Sequence, residues 1–118
     1  IFSKLIVENQ IQLFGDGEQV LHYLRTTDES PFMIICDINM PLINGIQLKE
    51  QIDRDHDARL RTIPFIFLST TANPEQVKHV YKLCTHGFFV KGQSYETLKS
   101  AIQRIVEYWS DCIHPNNL

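Results

Sequence analysis

Two short apolar runs constrain this chain more than any other feature. Phe32-Met33-Ile34-Ile35-Cys36 and Pro64-Phe65-Ile66-Phe67-Leu68 are each continuous rather than alternating. A strand with one wet face alternates apolar and polar side chains, whereas a strand that is apolar throughout is buried on both faces. A sheet covered by helices on both sides supplies that environment, and its crossover connections make it parallel. Helical patterns lie between the runs, as that architecture requires. Asp16 reads as the N-cap of a helix, with Gln19 at the capping-box position and Val20, Leu21 and Leu24 as its apolar stripe. Ile46, Leu48 and Ile52 mark a helix from Gly45 to about Asp53. Asn73-Pro74 opens a third, with Val77, Val80, Tyr81 and Cys84 at i, i+3, i+4 and i+7, and Gly87 at its end. Ser94 caps a last helix that carries Leu98, Ala101, Ile102, Ile105, Val106 and Trp109 on one stripe. Residues 11–14 and 88–90 read as further short strands. Residues 1–6 read as the last turns of an amphipathic helix, residues 53–62 as a solvated loop, and the residues after Cys112 as a frayed tail. The expected fold class is α/β, a doubly wound parallel sheet in a single domain.

Bulk properties exclude several functions. The net charge is −3, so no broad basic footprint points to nucleic acid. No apolar run approaches the ~20 residues that cross a bilayer. Nothing at the start reads as a secretory signal, so a cytoplasmic setting is expected. Cys36, Cys84 and Cys112 are odd in number and widely spaced, which fits reduced thiols better than a disulfide framework. No paired-ligand spacing suggests structural zinc.

Three of the strands end in chemically capable side chains: Asp37, Ser69 and Lys91. In an open parallel sheet, ligands bind beyond the carboxyl ends of the strands, so these three should meet at one rim. Taken singly, each has a bland reading: Asp37 as a cap, Ser69 as a turn hydroxyl, Lys91 as a surface charge. Together they suit phosphoryl chemistry. A carboxylate can attack phosphorus and form an aspartyl phosphate. The transferred group needs positive charge and hydrogen-bond donors placed beforehand. Lysine supplies a point charge and serine a donor, and a magnesium ion held by carboxylate, carbonyl and water oxygens would supply the rest. The acidic cluster Asp53, Asp55, His56 and Asp57 lacks a rigid element and reads as a polar loop. His22, His79, His86 and His114 are scattered and read as surface or cap residues. Tyr81, Tyr95, Tyr108 and Trp109 read as packing residues, though the last helix could also offer a partner surface.

The spacing around these residues carries a resemblance. Pro41 stands four residues after Asp37 and Gly45 eight after it; Ser69 stands five after Pro64, and Lys91 twenty-two after Ser69. Over nearly its whole length the chain resembles the receiver domains of bacterial response regulators. The resemblance implies a flavodoxin-like sheet of strand order 2-1-3-4-5 and one receiver domain over residues 1–118, with no output domain. It implies that Asp37 is the phosphoacceptor and a magnesium ligand, and that Asn39 lends its backbone carbonyl to the metal. Ser69 would bond the phosphoryl oxygen, Lys91 would pair with it, and Ser69 and Phe88 would form the switch. It implies a sensor histidine kinase or histidine phosphotransfer protein as donor and an unidentified downstream protein as reader, and it leaves homodimerisation open. No catalysis is implied beyond self-phosphorylation and autodephosphorylation. Three departures from the family pattern stand out. The first strand, with its two adjacent acids, and the start of the first helix are expected upstream of residue 1. Gly92 stands where the family has Pro after the lysine, and Thr70 where it prefers Ala or Gly. Two other readings stay open: a degenerate receiver that serves as a docking module, and an aspartate-nucleophile phosphatase, because Asp37-Ile38-Asn39 faintly resembles an Asp-x-Asp pair.

Overall fold

The computed structural model describes residues 3–7, 10–29, 31–38, 43–70, 73–83, 85–91 and 94–115. In chain order the elements are β1 Ser3–Val7, β2 Gln10–Phe14, α1 Gly17–Thr26, β3 Met33–Asp37, α2 Gly45–Asp53, α3 Ala58–Arg61, β4 Phe65–Ser69, α4 Pro74–Lys82, β5 Gly87–Val90 and α5 Tyr95–Asp111. One sheet runs in the order β2-β1-β3-β4-β5. β3, β4 and β5 form its parallel part.

The two apolar runs behave as their composition demands. Along β3, Met33 and Ile35 enter one apolar cluster, while Ile34 and Cys36 enter the other. Along β4, Phe65 and Phe67 join the cluster of Ile34, and Ile66 and Leu68 join that of Met33. Successive side chains leave a strand on opposite faces, so a run without polar interruptions feeds two cores at once. α1, α2, α3 and α4 supply the first core through Val20, Leu24, Leu48, Ile52, Leu60 and Val80. α5 supplies the second through Ile102 and Ile105. Each such side chain contributes about 1.5–3 kcal/mol when fully removed from water. The covering of both faces is therefore the largest stabilising feature of the fold.

Capping follows the sequence closely. Asp16 Oδ1 accepts from Gln19 N at 2.9 Å, while Gln19 Oε1 accepts from Gly15 N rather than from the cap residue itself. Asn73 caps α4 by accepting from Glu75 N and Gln76 N. Ser94 and Thr97 form a reciprocal box at α5. Asn44 does the same with Gln47 at α2, a pair whose turn signal concealed its capping role.

Four expectations need correction. The segment expected as helix at residues 1–6 runs into β1, Ser3–Val7, which pairs antiparallel with both β2 and β3. Only two residues separate β1 from β2, too few for the crossover a parallel pair needs, so the two strands pair antiparallel. β1 thereby takes the middle position that the expected 2-1-3-4-5 order had left without a strand. Residues 58–61, expected within a solvated loop, form the short helix α3, capped by Asp57 and anchored by buried Leu60. Gly87, expected to stop a helix, opens β5 instead. His114, expected in a frayed tail, is 2 % exposed and stacks on Phe32 with ring centroids 4.6 Å apart.

Two glycines, Gly17 against the Ile43 carbonyl and Gly45, are demanded by close approach. A Cβ on Gly45 would lie 2.5 Å from the Asp37 carbonyl oxygen and 3.0 Å from Cys36 Sγ. Gly45 N donates to Ile38 O at 2.9 Å, which pulls the start of α2 against the end of β3. Gly45→Ala should therefore destabilise the fold by roughly 1–3 kcal/mol in urea unfolding, because the clash is with backbone that cannot rotate away. Gly15→Ala, where only the flexible end of Gln19 lies within 4 Å, should change stability by less than about 1 kcal/mol.

Candidate functional site

The register of the parallel strands builds the site. Asp37 pairs with Leu68 across β3 and β4, and Ser69 pairs with Val90 across β4 and β5. Each strand thus ends about one residue beyond its neighbour. Backbone bonds hold the steps in place: Ile38 N donates to Leu68 O at 3.1 Å, and Lys91 N donates to Ser69 O at 2.7 Å. Asp37, Ser69 and Lys91 therefore arrive at one rim, as expected from the sequence.

Asp37 is 4 % exposed and Ser69 3 %. Lys91 Nζ lies 2.6 Å from both carboxylate oxygens of Asp37, fifty-four residues away in sequence. A carboxylate this deeply placed needs a partner, because an uncompensated buried charge is costly. The lysine side chain reaches it from the end of β5 while remaining slightly open to solvent. Below the pair, Cys36 Sγ donates to the Asp37 carbonyl at 3.2 Å. Phe88 lies in β5 opposite Phe67 and packs, half-buried, against the larger apolar cluster. Thr70 follows the rim on the exposed side. Asn39, Pro41 and Gly92 lie outside the described residues.

The acidic loop carries no metal cluster: among the described residues, no group of three or more His, Cys, Asp or Glu side chains could hold an ion. Asp55 instead accepts from Arg25 and from Asp57 N, and Asp57 caps α3. The backbone bond from Asp57 and the Arg25 guanidinium hold the Asp55 carboxyl below its ordinary range. At the rim, Asp37 offers hard oxygen donors of the type magnesium takes, and that ion completes its shell readily with water and phosphoryl oxygens. Both oxygens face Lys91, so lysine and metal would share one carboxylate.

Comparison with known proteins decides the family. Residues 3–103 match the response regulator receiver domain. The chain belongs to that family. This receiver acts in phosphorelay signal transduction, as its relatives do. It is 30 % identical over 112 residues to a probable methanogenesis regulatory protein, FilR2, of Methanothrix harundinacea (strain 6Ac), covering 92 % of this chain and 71 % of the relative. Its fold is similar to that of the phosphorylated cyanobacterial phytochrome response regulator RcpA, with a TM-score of 0.78 and 27 % identity over 86 % of this chain and 76 % of that one. The manganese-bound form of response regulator Rcp1 shares the fold at a TM-score of 0.74 and 24 % identity, over 85 % of this chain and 75 % of that one. Among the described residues no helix is long and apolar enough to cross a membrane.

The sequence missed one buried cation of the receiver. Lys49 is 3 % exposed in α2, paired with Asp53 at 2.7 Å, its ammonium 5.8 Å from the centroid of the Phe65 ring. The i,i+4 spacing of Lys49 and Asp53 was a usable signal for the pair, though not for its burial. His86, expected as a surface or cap residue, is exposed, and its Nδ1 also accepts from Phe65 N at 3.0 Å, a bond that no pattern in the sequence announced.

The Asp37–Lys91 pair makes a stability prediction. Lys91→Met should cost on the order of 3 kcal/mol in chemical denaturation, because it strands a buried carboxylate. Asp37→Asn combined with Lys91→Met should recover much of that loss. A double-substitution cycle with no coupling would show that the pair is energetically idle.

Proposed function

We propose that Asp37 is the phosphoacceptor of this receiver. The observation that supports it most directly is the Lys91 ammonium seated 2.6 Å from a buried carboxylate at the rim of the parallel strands. In the forward step an Asp37 oxygen attacks the phosphorus of a phosphohistidine on a sensor kinase or histidine phosphotransfer protein. The new P–O bond forms as the P–N bond breaks, and the departing imidazole takes a proton from solvent. The bonded oxygen then loses its charge, so Lys91 shifts from the carboxylate to the non-bridging phosphoryl oxygens, which carry the negative charge in its place. The Ser69 hydroxyl, one residue beyond Leu68 on the neighbouring strand, donates to the same group. Magnesium, held by Asp37 and the backbone carbonyl of Asn39, would neutralise part of the phosphoryl charge when bound. Metal-bound relatives such as manganese-bound Rcp1 are consistent with that assignment.

The switch follows from packing. Phe88 is in the strand that delivers Lys91, so relocation of the lysine pulls on the segment that holds the ring. Inward motion of Phe88 would alter the surface formed by α4, β5 and α5, which a cytoplasmic downstream protein reads. The receiver catalyses nothing on a further substrate: its reactions are its own phosphorylation and dephosphorylation. A docking module that had lost this chemistry would have no reason to retain a buried ion pair spanning fifty-four residues.

Incubation with a small acyl phosphate and magnesium should add one phosphoryl mass to the intact chain. Asp37→Asn should abolish the addition, and Lys91→Ala should slow it roughly 10²-fold. Unchanged addition in Asp37→Asn would overturn the assignment.

A further inference from the structure

The groove at the open edge of β5 holds a titratable group that the phosphorelay chemistry does not use. This groove, about 640 Å³, is lined by Tyr81 of α4, by Phe88 and the neighbouring His86, and by Arg104, Tyr108 and Trp109 of α5, among others. His86 is anchored to the sheet twice: its backbone N donates to Phe65 O at 2.9 Å, and its ring Nδ1 accepts from Phe65 N at 3.0 Å. The ring stands edge-on to Trp109, with centroids 5.6 Å apart and planes 79° apart. Thr85 Oγ1 also donates to Phe65 O, at 2.8 Å. The first residue of β4 is thus held by Thr85 and His86 together.

An imidazole nitrogen that accepts from a backbone N–H must be unprotonated, so the ring proton resides on Nε2. When Nδ1 takes a proton from water, two donors face each other. The bond to Phe65 N is lost, and the ring must leave the position that holds it against Trp109. We propose that His86 is a proton-operated wedge whose protonation reshapes the groove between β5 and α5, separately from events at Asp37.

The surrounding charges set the range in which the wedge works. From α2, the Lys49 ammonium opposes protonation and Asp53 favours it. From α5, Arg104 and Tyr108 line the same groove; from α4, Tyr81 does. The described residues of β4 and β5 bring only apolar side chains to the groove. Partial burial, with Lys49 adding to it, holds His86 below its ordinary value of 6.5. The folded state therefore binds this proton less readily than the unfolded chain does. Its contribution to stability is complete above pH 6.5 and declines as pH falls through that value toward the folded-state midpoint.

The chain's single tryptophan, Trp109, reports on its neighbour. Its emission should change in one single-proton step with a midpoint below 6.5, while far-ultraviolet circular dichroism stays constant. The step should vanish in His86→Gln and persist in His114→Gln, since His114 is the other histidine packed near that side of the sheet, on Phe32. Nitrogen-detected NMR of the unaltered protein gives a test that needs no substitution. At pH 8 the His86 ring should carry its proton on Nε2, and the Phe65 amide should shift with the emission midpoint as pH falls. A proton on Nδ1 at pH 8, an emission step that survives His86→Gln, or no step in the folded protein would overturn the proposal.

Discussion

A strand that meets apolar neighbours on both faces has only its ends left for chemistry. That constraint governs this receiver. β3 and β4 deliver alternate side chains into two cores, so helices must lie on both sides of them. Strands joined through such helices run parallel, and parallel strands bring their carboxyl ends to the same edge. The rim carboxylate, the hydroxyl and the ammonium are neighbours because the cores leave them nowhere else to be.

The same constraint shapes the backbone near the site. Gly45 brings the start of α2 against the carbonyl of Asp37, where a side chain would clash. Lys91 stands at the end of a four-residue strand and inherits its position from the bond between its own N–H and Ser69 O. The ion pair is thus prepositioned by backbone geometry rather than by a flexible side chain searching from afar. Preplaced charge of this kind is what phosphoryl transfer rewards, because little reorganisation remains when negative charge moves from carboxylate to phosphoryl oxygen. At the opposite edge, the α5 helix that completes one core also presents Trp109 and Tyr108 to a groove bordered by Phe88. Core and groove share residues, so a small displacement at the rim is felt outside it.

Much of this was legible in the residues. The doubly buried runs identified β3 and β4, and the strand-end position of Asp37, Ser69 and Lys91 identified the rim. Local chemistry was legible where a short side chain meets a backbone donor, as at Asp16, Asn73 and Ser94. The failures have a common cause. Residues 1–6 read as helix when taken alone, whereas pairing with β2 and β3 makes Ser3–Val7 a strand. α3 is a single turn held by Leu60 in a core that four helices share, so the charges around it concealed it. His114 is buried by a contact with Phe32, eighty-two residues away, which no local pattern encodes, and the bond that ties exposed His86 to Phe65 spans twenty-one. Tertiary partners, rather than weak propensities, account for what was missed.

The central claim is that the nucleophile at this rim is the carboxylate of Asp37. The most direct measurement is reductive trapping. Borohydride converts an aspartyl phosphate to homoserine, and peptide mapping of the treated protein then locates it. The account predicts homoserine at position 37 and at no other acidic residue. Homoserine elsewhere, or a phosphoryl group that survives the reductant on Ser69 or a histidine, would contradict it.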